Sequence, residues 1–162
     1  MKIYPKHYCE NIITITPEFL KENDIRALIL DVDNTLLDFD LKLVDGLKEW
    51  HDNMKSNGIK CMILSNSNKL TKVKMVADLL EIPFIKFAMK PLKRGFKMAQ
   101  KRLEIPNENI AAIGDQIFTD VIGANRMNMF SILPNDTPNL RICIWAPSPQ
   151  SIKNKRSRTV RM

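Results

Sequence analysis

Two carboxylates stand two residues apart in Asp31-Val32-Asp33-Asn34-Thr35, directly after the apolar run Ile25–Leu30. On an extended chain, residues i and i+2 share a side, so both acids face one way. Like charges this close are costly unless a cation bridges them or one holds a proton. Asp and Asn also end strands by satisfying local backbone groups, so an ordinary turn remains a second reading. Three further groups follow. Ser65-Asn66-Ser67 offers hydroxyls and backbone N–H groups that suit a phosphate or a helix cap. Lys90-Pro91 offers a cation that can clamp a phosphoryl group, or one surface lysine among many. Gly114-Asp115 with Asp120 offers two acids after a glycine turn, or a helix cap and an exposed acid.

The elements that must position these groups alternate. Ile25–Val32, Ile59–Leu64, Phe84–Ala88, Asn109–Asp115 and Phe130–Leu133 are apolar runs that suit strands buried on both faces. Between them, helical spacing predicts helices over Leu43–Asn57 with Gly58 as C-cap, over Val73–Leu80 with Ser67 or Asn68 as N-cap, over Leu92–Leu103 and over Thr119–Met127. Strands alternating with helices imply βαβ units and a parallel sheet. In such sheets ligands bind beyond the carboxyl ends of the strands, which is where Asp31, Asp33, Ser65, Asn66, Lys90 and Asp115 fall.

In this order, the chain resembles the haloacid dehalogenase-like (HAD) phosphohydrolase superfamily. Its DxDx[TV] loop is matched by Asp31–Thr35, its strand-end Ser/Thr by Ser65, its lysine by Lys90, and its paired-acid loop by GDQIFTD with Asp115 and Asp120. The forms DVDNTL and GDQ-x-x-TD look most like subfamily IIIA, in particular the YqeG-type branch, which is similar to phosphatidylglycerophosphate phosphatases. The resemblance spans about Ile25 to Leu133. It implies a three-layer, Rossmann-like α/β fold. The central parallel sheet would have five strands in the order 5-4-1-2-3, flanked by helices, without a large cap domain.

The resemblance also implies roles. Asp31 would be the nucleophile that forms an aspartyl phosphate, and Asp33 the general acid and base. Mg2+ would be held by the Asp31 carboxylate, the Asp33 backbone carbonyl and Asp115. Ser65, Lys90 and the backbone N–H of Asn66 would bind the phosphoryl oxygens. Thr35 would support the loop, and Asp120 would orient Lys90 or a metal-bound water. A second aspartate at position 33 is the mark of phosphatases and phosphomutases in this superfamily, which disfavours dehalogenation.

Only 29 residues separate Thr35 from Ser65 and 24 separate Ser65 from Lys90, too few for a folded cap. An open site admits a large phosphomonoester such as phosphatidylglycerophosphate. A soluble nucleotide or sugar phosphate is the alternative substrate.

Composition adds bounds. The chain has 162 residues, 44% hydrophobic and 27% charged, consistent with one globular domain over about 1–140. No signal peptide and no run of roughly 18 apolar residues is present, so the expected setting is cytoplasmic, or peripheral at a membrane. Cys9, Cys61 and Cys143 show no zinc-like spacing, and their odd number suits a reducing compartment. The formal charge is +7, yet the last twelve residues hold Lys153, Lys155, Arg156, Arg158 and Arg161. Residues 141–162 thus read as a proline-containing segment and a basic tail. That tail is either solvated or a contact for anionic lipid or nucleic acid. In the latter case the chain would be an RNA- or ribosome-associated binding protein.

Overall fold

A computed structural model describes residues 2–38 and 40–135 of the chain. The segment and tail at 141–162, on which the nucleic-acid reading rests, lie outside the described residues.

The strands are β1 (His7–Cys9), β2 (Ala27–Leu30), β3 (Lys60–Leu64), β4 (Phe84–Ile85), β5 (Ile110–Ile113) and β6 (Phe130–Pro134). They form one parallel sheet in the order β1-β6-β5-β2-β3-β4. The five expected strands take their expected order, and the sheet gains a sixth at one edge. β1 escapes a reading by apolar runs because it is three residues long and only Cys9 in it is buried. It pairs with β6 from His7 opposite Ile132 to Cys9 opposite Pro134.

Central β2 is buried on both faces, as its unbroken apolar sequence requires. Alternate side chains feed two cores. Leu28, Leu30, Cys61, Ile63, Ala111 and Ile113 face one side. There they pack on α2 (Leu47–Ser56) and α3 (Leu70–Leu80), through Trp50, Met54, Val73, Val76 and Leu80. Leu20 of α1 (Pro17–Glu22) joins that core. Ala27, Ile29, Met62, Leu64, Ile110 and Ala112 face the other side. They meet α4 (Lys93–Leu103) and α5 (Ile122–Arg126), through Phe96, Ala99, Leu103 and Ala124. The period of two in the strands thus generates the three layers.

Element ends depart from the sequence reading for local reasons. α2 starts at Leu47, four residues late, because Leu37 bridges Asp33 and Leu43 instead of leaving Leu43 free to coil. Gly58 takes φ +76 beyond the end of α2, where Ile59 N–H reaches the Met54 carbonyl at 3.0 Å, so the expected glycine stop is made. Neither Ser67 nor Asn68 caps α3, whose N-cap is Lys69. Ser67 is occupied in tight turns, since its Oγ accepts from Lys69 N–H and its own N–H donates to Ser65 Oγ, both at 3.1 Å. The third expected strand shortens to Phe84–Ile85. The helix expected over Thr119–Met127 splits into a π-helical turn, Ile117–Val121, and α5.

The second core turns on one close contact. A Cβ on Gly123 would lie 2.2 Å from the ring of fully buried Phe96, so α5 approaches α4 only because residue 123 has no side chain. Phe96→Ala should therefore lower stability by about 3–5 kcal/mol. Urea unfolding should show a reduced midpoint with an unchanged slope.

Candidate active site

The site forms where β2, β3 and β5 end. In the ladder, Leu30 is level with both Ile63 and Ile113. Asp31 N–H donates to the Ile113 carbonyl at 3.0 Å, which extends the ladder by one residue and fixes the Asp31 backbone. Beyond it the chain folds back, with Leu36 and Leu37 N–H groups both donating to the Val32 carbonyl at 3.0 Å. Asn34 at φ +58 permits this tight loop. Thr35 is buried within it, and its hydroxyl has no hydrogen-bond partner among the described residues.

Lys90 lies at the centre. Its Nζ donates to Asp31 Oδ1 at 2.9 Å and to Asp120 Oδ1 at 2.6 Å, with the lysine side chain only 3% exposed. Its backbone is held as firmly: Lys90 N–H donates to Asn66 Oδ1 at 2.7 Å, and Asn66 Nδ2 donates to the Lys90 carbonyl at 3.0 Å. Asp120 Oδ2 accepts from Gln116 N–H at 3.2 Å. This approach needs Gly114, where a Cβ would sit 2.3 Å from the Asp120 carboxylate. Ser65 is buried beside the Lys90 loop, and its carbonyl accepts from Ala88 N–H at 2.9 Å.

Carboxylate oxygens of Asp31, Asp115 and Asp120 lie within 4.8 Å of one another. Burial, then the Asp120 charge, push the Asp31 carboxyl up to about 7 against the pull of Lys90. Burial and Asp120 likewise push Asp115 up to about 6, while a hydrogen bond from Asn34 opposes the rise. Lys90 moves the other way: burial lowers it, but the Asp120 and Asp31 carboxylates outweigh burial and raise it. With all three acids ionised and one lysine among them, two negative charges stand uncompensated. Among the described residues Asp115 Oδ1 is buried with no hydrogen-bond partner, and hydrogen bonds reach only Oδ1 of Asp31. Hard oxygen donors with excess negative charge fit a divalent cation.

The site thus gathers Asp31, Ser65, Asn66, Lys90, Asp115 and Asp120. Asp33 sits at the rim with its side chain 41% exposed, and its Oδ1 is paired with Lys72 of α3. Three contacts escaped the sequence reading: Lys72 on Asp33, the Asn34 side chain near Asp115, and the Asn66 amide on the Lys90 backbone. Lys72 did leave a trace. A cation in the first turn of a helix that has no acid there opposes the helix dipole.

A family model for haloacid dehalogenase-like hydrolases matches residues 40–128. The chain belongs to the haloacid dehalogenase-like hydrolases, in the phosphatase branch of that superfamily. It is 42% identical over 130 residues to the Bacillus subtilis (strain 168) protein named "Probable phosphatase YqeG", covering 80% of this chain and 75% of that one. Its fold is similar to that of an uncharacterized Listeria monocytogenes serotype 4b protein, with TM-score 0.59 and 22% identity over 78% of this chain and 88% of the other. A Legionella pneumophila protein described as a HAD subfamily III A hydrolase gives TM-score 0.54 and 19% identity, over 77% and 74%.

The raised carboxyl groups carry a stability signature. Asp31 and Asp115 bind protons more tightly folded than unfolded, so folding is favoured at low pH and loses stability as pH rises from their ordinary value of 3.8 through about 6 to 7. Lys90 is protonated in both states across that window and does not offset the loss. In EDTA, the urea midpoint should fall between about pH 5 and about pH 8, and excess divalent cation should shrink the difference.

Proposed function

We propose that this phosphatase is a magnesium-dependent phosphomonoesterase that works through an aspartyl phosphate on Asp31. The observation that carries the reading is the position of Asp31. Its side chain is 11% exposed, its Oδ1 is anchored by Lys90, and no hydrogen bond within the described residues reaches its other oxygen. That oxygen attacks phosphorus, and the bond from phosphorus to the ester oxygen breaks. The leaving oxygen takes its electron pair and accepts a proton from Asp33 in its acid form. Asp33, now a carboxylate, then takes a proton from water as that water attacks the phosphorus. The Asp31–phosphorus linkage breaks, the Asp31 carboxylate is restored, and inorganic phosphate leaves.

Each remaining residue serves these steps. Lys90 and the Ser65 hydroxyl hold phosphoryl oxygens, and the backbone N–H of Asn66 adds a donor. Ser65 Oγ accepts from Ser67 N–H, which leaves its own hydrogen to donate. Asp120 aims Lys90. Asp31, Asp115 and the Asp33 backbone carbonyl would hold Mg2+, which offsets the repulsion between an anionic nucleophile and an anionic phosphate. Because charge spreads over the equatorial oxygens in the transition state, fixed cations there account for much of the acceleration.

The substrate we assign is a large phosphomonoester, phosphatidylglycerophosphate. The loop between β2 and α2 carries only two isolated bridges, and Ser65–Lys69 joins β3 to α3 in five residues. Among the described residues neither loop holds a helix or strand that could enclose a small molecule, and an open mouth leaves a phosphate on a bulky carrier accessible.

Asp31→Asn should leave the fold intact and reduce turnover by about three orders of magnitude or more. Acid-quenched phosphoenzyme should appear in the wild type and be absent from this variant. Phosphatidylglycerophosphate in vesicles should be hydrolysed well ahead of nucleotide and sugar phosphates. Equal rates would transfer the assignment to a soluble substrate.

A further inference from the structure

The loops that frame the site combine two features that a free surface does not favour. The first is charge. Residues 66–77 and 82–103 contain no Asp or Glu, yet hold Lys69, Lys72, Lys74, Lys86, Lys90, Lys93, Arg94 and three more basic residues. The second is exposed apolar side chains at the same end of the sheet. Leu70 opens α3, and Phe87, Met89 and Leu92 flank Lys90, with Phe87 62% exposed.

These side chains are held outward. Phe87 and Met89 adopt φ +51 and +57, the left-handed region that bulky residues avoid. The surrounding hydrogen bonds impose that conformation: Phe87 N–H donates to the Ser67 carbonyl at 3.1 Å and Ala88 N–H to the Ser65 carbonyl at 2.9 Å. Both bonds tie the apolar loop to the strand end that carries Ser65. Phe87, Met89 and Met98 share a depression of about 190 Å³ with Lys86 and Arg94. Besides the site acids Asp31, Asp33, Asp115 and Asp120, the loop after β2 brings Asp38, Asp40 and Asp45 to this end. Asp38 Oδ1 is turned into its own loop, accepting from Asp40 and Lys42 N–H groups at 2.9 Å.

We propose that Leu70, Phe87, Met89 and Leu92, with the collar of Lys69, Lys86, Lys93 and Arg94, form a surface that docks on an anionic bilayer. It presents the mouth of the site to the headgroups. The proposal builds on the reading of the site as a phosphomonoesterase and names where its lipid-borne substrate meets the protein. Apolar side chains that enter the headgroup boundary, ringed by basic ones, are the combination that anionic interfaces retain. RNA would use the charges but would leave Leu70, Met89 and Leu92 without a role.

The test uses the full chain and vesicles of phosphatidylcholine with or without about 30 mol% phosphatidylglycerol. The protein should co-sediment with the anionic vesicles only. Phe87→Gln with Leu92→Gln should weaken that binding by about tenfold or more. Lys86→Glu with Arg94→Glu, at exposed positions that do not load the core, should do so through charge, by about fivefold or more per side chain. Turnover of p-nitrophenyl phosphate should persist in both variants. Loss of that turnover in the wild type would defeat the phosphatase reading itself. Normal turnover with no vesicle binding, or binding that neither variant weakens, would overturn the docking surface. So would RNA competing fully with vesicles for both variants' sites, or a stable dimer in solution that both pairs of substitutions dissociate.

Discussion

The ammonium of Lys90, buried between the carboxylates of Asp31 and Asp120, is the contact on which this molecule's arrangement depends. An isolated buried cation is very costly, and so are buried carboxylates. Here each makes the other tolerable, but the balance fails by design: one lysine faces three acids. The fold spends several features on holding the lysine in place. Asn66 grips its backbone from the end of β3, Gly114 yields room for Asp120, and Gln116 fixes the far oxygen of Asp120. Asn66 follows β3, while Gly114 and Gln116 both follow β5, so the lysine, itself in the loop after β4 and paired with Asp31, is also the point where the β3, β4 and β5 loops are tied to the β2 loop.

That architecture explains why much of the site was legible from the chain. A doubly covered parallel sheet needs uninterrupted apolar strands, and those runs end where chemistry begins. Asp31, Ser65 and Asp115 are therefore marked by position as well as by type. Lys90 is marked less clearly, since β4 is only two residues long and gives its loop little introduction. What the chain hid was pairing. Nothing in the sequence says that Asp33 meets Lys72 across 39 residues, or that an asparagine expected to offer its backbone would use its side chain on Lys90. Such contacts depend on how α3 and the β4 loop settle on the sheet. Local preference was overridden too: Ser67 is a good capping residue, but Ser65 and Lys69 claimed its hydrogen bonds first. Edge strand β1 was hidden for another reason, since it rests on β6 by backbone pairing and buries little of its own.

Asp33 and Asp31 show how one short loop produces two environments. The Asp31 side chain is 11% exposed and aligned by the β2 ladder, while that of Asp33, two residues on, is 41% exposed and paired to a lysine of α3. These environments suit the roles proposed for them: a nucleophile must be fixed, whereas a group that gives a proton to one oxygen and takes one from another must reach both. The alternation of side chains does not by itself separate them; the second acid is held at the rim by its pairing with Lys72.

Charge is layered along the same direction. The floor of the site carries surplus negative charge, and the loops at its mouth carry surplus positive charge. A dianionic phosphate approaching the floor alone would be repelled. The basic rim supplies attraction at distances up to about 8 Å in physiological salt, beyond which ions screen it. Inside that range the cation of Lys90 and any metal at the acidic cluster take over. In the proposed function the floor would carry the chemistry, while the rim faces the anionic surface from which the phosphate comes. The acid surplus that makes the floor inhospitable to a free anion is also what makes it hospitable to the divalent ion the anion needs.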